Sequence, residues 1–181
     1  METATKNLEH DHEHILQLID VMFVMAGKSA PDADNIETVI SLIRNFADGF
    51  HHAKEENILF PAMIKKGFSK ENGPIAVMLN DHDQGRNFVK GMVNGLQLFK
   101  GGDEKALKEV YENMTDYGNL LQSHISKENN VLFKMADKAL SQKEQEQLLQ
   151  EFSEIEKNSP YATNISKYIE EINSLKVFYT T

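Results

Sequence analysis

Apolar residues recur every three or four positions along most of this chain, with polar residues between them, which is the spacing of amphipathic α-helices. This spacing predicts long helices over about residues 5–26, 34–66, 74–100 and 103–137. A capping box from Ser141 to Glu144 predicts a fifth helix to about residue 157, and Ser159-Pro160 predicts the start of a sixth that ends near residue 177. Since no long alternating run indicates a strand, we predict an all-α fold. It is an up-down-up-down four-helix bundle (about residues 5–137) with two extra C-terminal helices (about residues 141–178), in one domain over residues 1–181.

A segment of the second predicted helix is repeated in the fourth. The ten residues that begin at His51 align without gaps with the ten that begin at His124, so that Glu55 corresponds to Glu128. Each copy carries His-x-x-x-Glu, which places an imidazole and a carboxylate one helical turn apart on the same face. The apolar residues that end each copy predict that this face is buried, and a buried carboxylate is costly without a partner. A metal ion would satisfy both groups.

The first and third predicted helices carry a similar pair of motifs. The acidic triplet centred on His12 corresponds to the one centred on His82, at a step close to that between the two His-x-x-x-Glu copies. We interpret the chain as two helical hairpins of one design, whose antiparallel helices direct polar side chains at one point in the bundle core. The candidate metal ligands are His12, His51, Glu55, His82, His124 and Glu128.

The number and type of these ligands favour iron. Six ligands are too many for one structural zinc, which takes four. Shared between two metals they supply about two imidazoles and a carboxylate to each, which with open positions is typical of non-haem iron. We therefore predict two iron ions (Fe2+/Fe3+), favoured over zinc or manganese on coordination preference. Two glutamates do not neutralise two such ions, so we expect an oxide or hydroxide bridge. The competing hypothesis is a structural bundle with incidental histidines.

Other polar residues near these motifs are expected to lie outside the ligand set. His10 and His14 are each two residues from His12 and therefore point elsewhere on the helix. His52 and Glu56 form a second His-x-x-x-Glu pair, one residue out of step and on a polar stripe. We expect this pair to be solvated or to contact the metal ligands without binding the metal. The alternative is that His52 is itself a ligand. A Glu56→Ala change is accordingly predicted to have little effect.

Composition narrows the classes of function. The net charge of −9 and the absence of a basic cluster argue against a nucleic-acid or anionic-membrane partner. No residue is cysteine, so disulfides and thiolate-ligated metal or iron–sulfur sites are excluded. Without an apolar signal core or a run long enough to span a membrane, we expect a cytoplasmic protein. Apolar residues of the C-terminal helices, such as Phe152 and Ile172, predict packing against the bundle, a second copy of the chain or a protein partner.

Three motifs resemble those of the hemerythrin-like, HHE cation-binding family over about residues 5–137. Residues 51–61, 78–86 and 117–133 are similar to its second-, third- and fourth-helix motifs. The resemblance implies an up-down bundle around a non-haem di-iron centre, with the six candidate residues as ligands. It also implies that the glutamates bridge the irons, with oxide or hydroxide between them. The match is closer to the branch that repairs iron centres, whose bundle uses two His-x-x-x-Glu pairs, than to the oxygen-carrying hemerythrins.

Arg86 distinguishes this chain from the oxygen-carrying hemerythrins. It lies one turn after His82, at the position where those proteins have a second histidine. Because arginine cannot bind a metal, we expect a free position on the iron nearest the third helix and oxidation in air rather than reversible oxygen carriage. Tyr117, two turns before His124, is a candidate hydrogen-bond donor beside the metals, or a core tyrosine whose tip reaches solvent.

These features predict a protein that binds or reacts with oxygen, peroxide or nitric oxide, as a sensor, scavenger or weak peroxidase. One alternative is an iron or oxygen store or sensor without turnover. Another is an iron-centre repair protein that lacks the cysteine pair usual in that branch.

Overall fold

The computed structural model describes residues 2–28, 31–158 and 165–180, and over these ranges the chain forms helices and no strands. Helix α1 is Ala4–Ala26. Helix α2 runs continuously through Ala33–Leu42, Ile43–His52, Glu55–Leu59 and Phe60–Lys65. Helix α3 is Pro74–Lys100, and α4 runs through Ala106–Lys127, Glu128–Leu132 and Phe133–Ala139. Helices α5 and α6 are Gln142–Asn158 and Ile165–Thr180. The prediction of an all-α bundle with two extra C-terminal helices is confirmed.

The bundle consists of α1 to α4, and its most extensive contact joins α3 to α4. These two helices approach closely at Gly95, where a Cβ atom would lie 2.8 Å from Cγ2 of Val110. Helix α4 also approaches α1 closely at Gly118, where a Cβ atom would lie 2.8 Å from the ring of Phe23. Glycine at these positions therefore allows a helix separation that a larger residue would prevent.

Helix starts follow the side chains that satisfy their free amide groups. The Thr3 hydroxyl accepts a hydrogen bond from the Lys6 amide at the start of α1. At the start of α2 the acceptor is Asp32, which lies 3.0 Å from the Asn35 amide. The sequence pattern placed this start near Asp34, so the helix begins one residue earlier than predicted.

The two C-terminal helices lie along the bundle. The predicted capping box begins α5: Ser141 donates its amide hydrogen to Glu144 at 2.8 Å and accepts from the Glu144 amide at 3.4 Å. The predicted start of the last helix at Ser159-Pro160 lies outside the described residues. Phe152 of α5 and Ile172 of α6 are buried among apolar side chains of the bundle. Within the described ranges, no helix is both long enough and apolar enough to cross a membrane.

Two clusters of buried apolar side chains fill the bundle, one on each side of a polar layer. The large cluster takes residues between 15–25 of α1, 36–50 of α2, 89–96 of α3, 110–125 of α4 and 168–179 of α6. The small cluster takes residues between 4–8 of α1, 58–63 of α2, 75–78 of α3, 132–140 of α4 and its C-terminal connection, and 148–152 of α5. In α1, for example, His12 lies between Leu8 of the small cluster and Ile15 of the large one. The polar layer therefore crosses the whole bundle.

Helices α2 and α4 both change from α-helical to π-helical hydrogen bonding inside the repeated segment. The Phe60 amide donates to the carbonyl of Glu55, and the Phe133 amide donates to the carbonyl of Glu128, each across five residues instead of four. A longer π-helical stretch, Ile43–His52, precedes the first of these turns. π-helical turns are rare and frequently occur at functional sites. Here each short turn begins at a predicted metal ligand.

Candidate metal centre

All six predicted ligands lie together in the polar layer between the large and small clusters. None is more than 1% exposed, and all four bundle helices contribute. Helices α1 and α3 supply one histidine each, and α2 and α4 each supply a histidine and a glutamate. The residues are His12, His51, Glu55, His82, His124 and Glu128.

The ligand atoms form two groups, each of a size that fits around one metal ion. Within a group, one ligand atom from each residue lies within 4.8 Å of the others. The first group is His12, His51, Glu55 and Glu128, and the second is His52, Glu55, His82 and His124. Glu55 belongs to both. Glu128 also lies between them, because its Oε2 atom is 3.2 Å from Nε2 of His12 and 3.2 Å from Nε2 of His124. Each group could hold one cation, and the two groups are adjacent and share a carboxylate.

The imidazoles of the predicted ligands face one another through their Nε2 atoms. These atoms are 3.0 Å apart in the pair His12 and His51, and 3.2 Å apart in the pair His82 and His124. Each Nδ1 atom has an oxygen acceptor on a neighbouring helix, so the Nε2 atoms are left as the ligating nitrogens. Two nitrogen lone pairs at such distances repel one another unless a proton or a metal ion lies beside them. The ring arrangement therefore suits a cation.

The acceptors of the Nδ1 atoms all come from a different helix than the histidine. They fix the orientation of each ring and raise the basicity of its other nitrogen. The pairs are His12–Asn129 at 2.8 Å, His51–Asp11 at 3.1 Å, His82–Glu56 at 2.7 Å and His124–Asp81 at 3.4 Å.

Two lysines extend the internal repeat to these acceptors. Lys54 of the first copy contacts Asp11, and Lys127 of the second copy contacts Asp81. Burial acts to raise the pKa of both aspartates, but their histidine and lysine partners outweigh it, and each pKa lies below its usual value. The lysines differ in exposure: Lys54 is fully buried and lies near the ring of Phe152 in α5, whereas Lys127 is 39% exposed.

The two glutamates show most directly that the layer fits a metal. Glu55 and Glu128 are fully buried, and none of their four carboxylate oxygens has a hydrogen bond of acceptable geometry. Buried polar atoms without such partners are rare in folded proteins, and a buried carboxylate without a counter-charge is costly. Divalent cations between the imidazoles and the carboxylates would satisfy all four oxygens. The donor set present therefore fits the metal that the sequence predicts.

Without metal, the charges of this layer are unbalanced. Burial and the neighbouring Glu128 raise the pKa of Glu55 well above its usual value. Burial also acts to raise the pKa of Glu128, but His124 and His12 outweigh it and hold that pKa well below the usual value. Against the effect of burial, Glu128 and Asp81 raise the pKa of His124 to about 9. In the metal-free centre Glu55 and His124 therefore bind protons more tightly than an ordinary carboxyl and imidazole do, and a bound cation would displace these protons.

His52 and Glu56 lie closer to the centre than solvated residues would. His52 is buried in the second group, and Glu56 accepts a hydrogen bond from Nδ1 of His82. An ideal α-helix would turn His52 away from the face of His51. A π-helical stretch ends here, but Ile125 is buried at the matching position of an α-helical segment, so this position faces the core in both copies of the repeat. One sequence signal could have shown this, because the repeat aligns His52 with an apolar residue, Ile125.

Arg86 connects the acceptors on this side of the centre. Its guanidinium donates to Asp48 at 2.9 Å and to Glu56 at 2.6 Å. The same two carboxylates accept hydrogen bonds from Nδ1 of His52 and Nδ1 of His82. Burial acts to raise the pKa of each carboxylate, but the imidazole and guanidinium partners lower both to about 2. Arg86 thus fixes the outer edges of two neighbouring imidazoles.

A cavity of about 290 Å³ opens beside the second group. Tyr117 lies in its wall, next to Gly85, where a Cβ atom would be 3.4 Å from the tyrosine ring. Burial raises the pKa of the Tyr117 hydroxyl. The other wall residues include His52, His82, Arg86, Ile43, Val89 and Leu121. His10 and His14 lie outside both groups, one on the surface beside Glu13 and the other edge-on to Phe46.

Fold and site together define a helical-bundle protein built to hold cations in its core. The chain belongs to the hemerythrin HHE cation-binding domain family, whose model matches residues 3–136, and this confirms the resemblance inferred from the motifs. Similar curated proteins include the iron-sulfur cluster repair protein YtfE of Salmonella newport, Salmonella heidelberg and Salmonella agona. Each is 39% identical over 89 residues, which are 48% of this chain and 40% of the relative. The matched region thus spans less than half the length of these relatives. No solved structure gives a significant match.

Proposed function

We propose that this chain is a non-haem di-iron protein whose centre binds or reacts with a small oxidant: oxygen, peroxide or nitric oxide. The observation that supports this most is the pair of ligand groups built around two buried glutamates without hydrogen-bond partners. Mixed imidazole and carboxylate donors are the ligand set of non-haem iron sites. Two iron ions here would supply redox chemistry and open positions for a small ligand.

The residues of the chain supply orientation, charge and exclusion of water. The acceptors at the Nδ1 atoms hold the imidazoles in place before any metal binds, so little reorganisation is needed. Glu55 and Glu128 would supply negative charge to bound cations. The large and small clusters cover the layer on both sides and keep bulk solvent from it.

The cavity beside the second group supports a small ligand rather than a bulky one. Its volume of about 290 Å³ is at the lower end for ligand pockets, and most of the residues that line it are apolar or cationic. It reaches His52 and His82, whereas the glutamates behind them are fully buried. A diatomic molecule or peroxide fits such a route, and a large substrate does not.

Repair of iron–sulfur centres is the second candidate function, and the curated relatives favour it. They are named iron-sulfur cluster repair proteins and share 39% identity with this chain over 89 residues. In that role the centre would exchange iron or electrons with a damaged cluster. No residue of this sequence is cysteine, so the imidazole and carboxylate ligands themselves would have to release any iron that is transferred.

Iron loading followed by reaction with each oxidant tests the proposal. The protein, purified without added metal, is loaded anaerobically with Fe2+ and then exposed separately to oxygen, hydrogen peroxide and nitric oxide. We expect two irons per chain and a change in the optical spectrum with at least one of the three, and neither in Glu55→Ala. Uptake of a single tetrahedral zinc in preference to iron would overturn the proposal. Recovery of a peroxide-damaged iron–sulfur enzyme on addition of the loaded protein, but not of free Fe2+, would select repair.

A further inference from the structure

Three polar residues beside the cavity have apolar counterparts in the other half of the internal repeat. The pairs are Asp48 and Leu121, His52 and Ile125, and Arg86 and Leu16. The three apolar residues lie in the large cluster or pack against it. Since hydrocarbon side chains fill these positions in one half of the molecule, packing alone does not require polar residues in the other half. The polar set, with His52 at its inner end, serves another purpose.

Asp48 fixes which nitrogen of His52 carries a hydrogen. Nδ1 of His52 lies 3.2 Å from Oδ1 of Asp48, and the same oxygen accepts from the Arg86 guanidinium at 2.9 Å. An ionised carboxylate only accepts hydrogen bonds, so Nδ1 is the donor. In a neutral ring the Nε2 atom then has no hydrogen and presents a lone pair. His52 therefore offers an acceptor at its inner edge.

The direction of this acceptor follows from the contact between His52 and His82. The two rings are stacked, with centroids 3.8 Å apart and planes inclined by 13°. The carboxylates at their Nδ1 atoms, Asp48 and Glu56, contact the same nitrogen of Arg86, at 2.8 Å and 2.6 Å. Both Nδ1 atoms thus lie on one side of the stack, and both Nε2 atoms face the metal ligands on the other. The two Nε2 lone pairs are nearly parallel.

Parallel lone pairs do not converge on one ion. An ion bound by His82 lies along the lone pair of that ring, so the lone pair of His52 points past the ion, to one side of it. Both rings line the cavity of about 290 Å³. A small ligand that reaches the ion from this cavity therefore comes next to Nε2 of His52.

We propose that His52 selects ligands that carry a hydrogen, so that the preferred oxidant of the centre is hydrogen peroxide rather than nitric oxide or oxygen. The inference rests on the proposed di-iron function. An O–H group of hydrogen peroxide donates to the Nε2 lone pair, whereas nitric oxide and oxygen have no hydrogen and place lone pairs of their own against it. Tyr117 and Arg86, in the same wall, can donate to all three oxidants and so do not distinguish them.

A His52→Ile variant tests the proposal, because it gives this position the side chain of the second copy. His14→Ile is the matched control, since it removes a histidine outside both groups. Each protein is loaded anaerobically with Fe2+. Optical titration measures the equilibrium affinity for nitric oxide, and stopped-flow mixing measures the peroxide concentration that gives half-maximal rate of oxidation.

For His52→Ile we expect the half-maximal peroxide concentration to rise roughly 3- to 10-fold, which is the loss of one hydrogen bond. Nitric oxide should bind as tightly as before or more tightly. The control should match the unmodified protein in both measurements. His52→Gln should keep the preference for peroxide, because Asp48 can accept from its amide group and leave the carbonyl oxygen as the inner acceptor.

The outcomes separate this inference from the proposed function. Equal weakening of both ligands in His52→Ile would mean that His52 only shapes the cavity, and no change in either would mean that it does not face the ligand. Weaker iron binding in this variant, measured by chelator competition, would make His52 a metal ligand. Each of these results overturns the inference and leaves the di-iron proposal standing. Failure of the unmodified protein to bind two irons would overturn both.

A measurement on the unmodified protein decides the question if His52→Ile folds poorly. Loaded with zinc, which is diamagnetic, the protein allows nitrogen NMR of its histidine rings. We expect His52 to carry its hydrogen on Nδ1 and to have a free Nε2 atom. An Nε2 atom that carries a hydrogen or binds the metal would overturn the inference.

Discussion

At the scale of single residues, the protonation of Glu55 affects the stability of the metal-free protein. In the metal-free protein, burial and Glu128 raise its pKa well above the usual value of 4.5. The folded state therefore binds this proton more tightly than the unfolded state does. The resulting contribution to stability is fully present below pH 4.5 and is lost as the pH rises through the folded pKa. Metal-free protein should accordingly become less stable as the pH rises, and bound cations should reverse the trend.

A Glu55→Gln variant tests this coupling, because glutamine has the shape of the protonated acid and does not titrate. We predict that metal-free Glu55→Gln is less sensitive to rising pH than the unmodified protein, while its iron binding is lost. Urea denaturation at pH 5 and pH 8 gives the comparison. The exposed Glu13→Gln is the control and should follow the unmodified protein. Parallel pH dependence of Glu55→Gln and the unmodified protein would contradict the raised pKa.

Glu56 is the residue whose expected role changes most once the structure is known. The sequence alone predicts little effect for Glu56→Ala, but this carboxylate accepts from His82 and from Arg86. Loss of the acceptor behind a metal-binding histidine lowers metal affinity roughly 10- to 100-fold. We therefore predict a loss of that size for one iron, measured by chelator competition, with Glu13→Ala as control. Affinity equal to that of the unmodified protein would restore the expectation from sequence.

At the scale of helices, the internal repeat explains what could be predicted and what could not. A His-x-x-x-Glu motif places its two side chains on one face wherever the helix begins or ends, so the sequence was sufficient to select six of the seven residues that the structure brings together. The change to π-helical bonding at Glu55 and Glu128 has no comparable signal, because it depends on how the packed helix accommodates its neighbours. His52 was assigned to a polar stripe because Ser41, Asn45 and Asp48 share its helix face, although it faces the core. The relation between His52 and Ile125 was the only indication in the sequence.

The matching lysines of the two repeat copies allow a direct comparison of buried and exposed ion pairs. Lys54→Met would leave Asp11 in a mostly buried site without its cation, and we predict a loss of about 3–5 kcal/mol in the free energy of unfolding. Lys127 is 39% exposed, so water screens its pair with the buried Asp81, and we predict that Lys127→Met costs less, about 1 kcal/mol. Urea denaturation of both metal-free variants at pH 7 measures the difference. Equal losses would show that burial beside α5 does not set the strength of the Lys54 pair.

At the scale of the whole molecule, the metal centre lies where the two apolar clusters meet. The large cluster draws on all four bundle helices and α6, whereas the small one depends on the far ends of the bundle helices and on α5. Between them, the metal-free layer contains two buried carboxylates without hydrogen bonds. Cations bound there would connect all four helices at one level. Ligands that bind only the folded state stabilise it by mass action, by about 2.7 kcal/mol at a free concentration 100 times the dissociation constant.

The position of the layer predicts that metal removal loosens the two ends of the bundle unequally. The small cluster has less apolar contact of its own, so its helix segments should open first once the cations that connect them to the rest are gone. Amide hydrogen exchange of the iron-loaded and metal-free protein measures this. We expect protection to fall more in residues 57–65 and 132–140 than in residues 15–25, and the addition of Fe2+ to restore it. Glu55→Ala with Fe2+ should behave like the metal-free protein. A uniform loss along all four helices would mean instead that the bundle opens as one cooperative unit, with the centre stabilising both clusters equally.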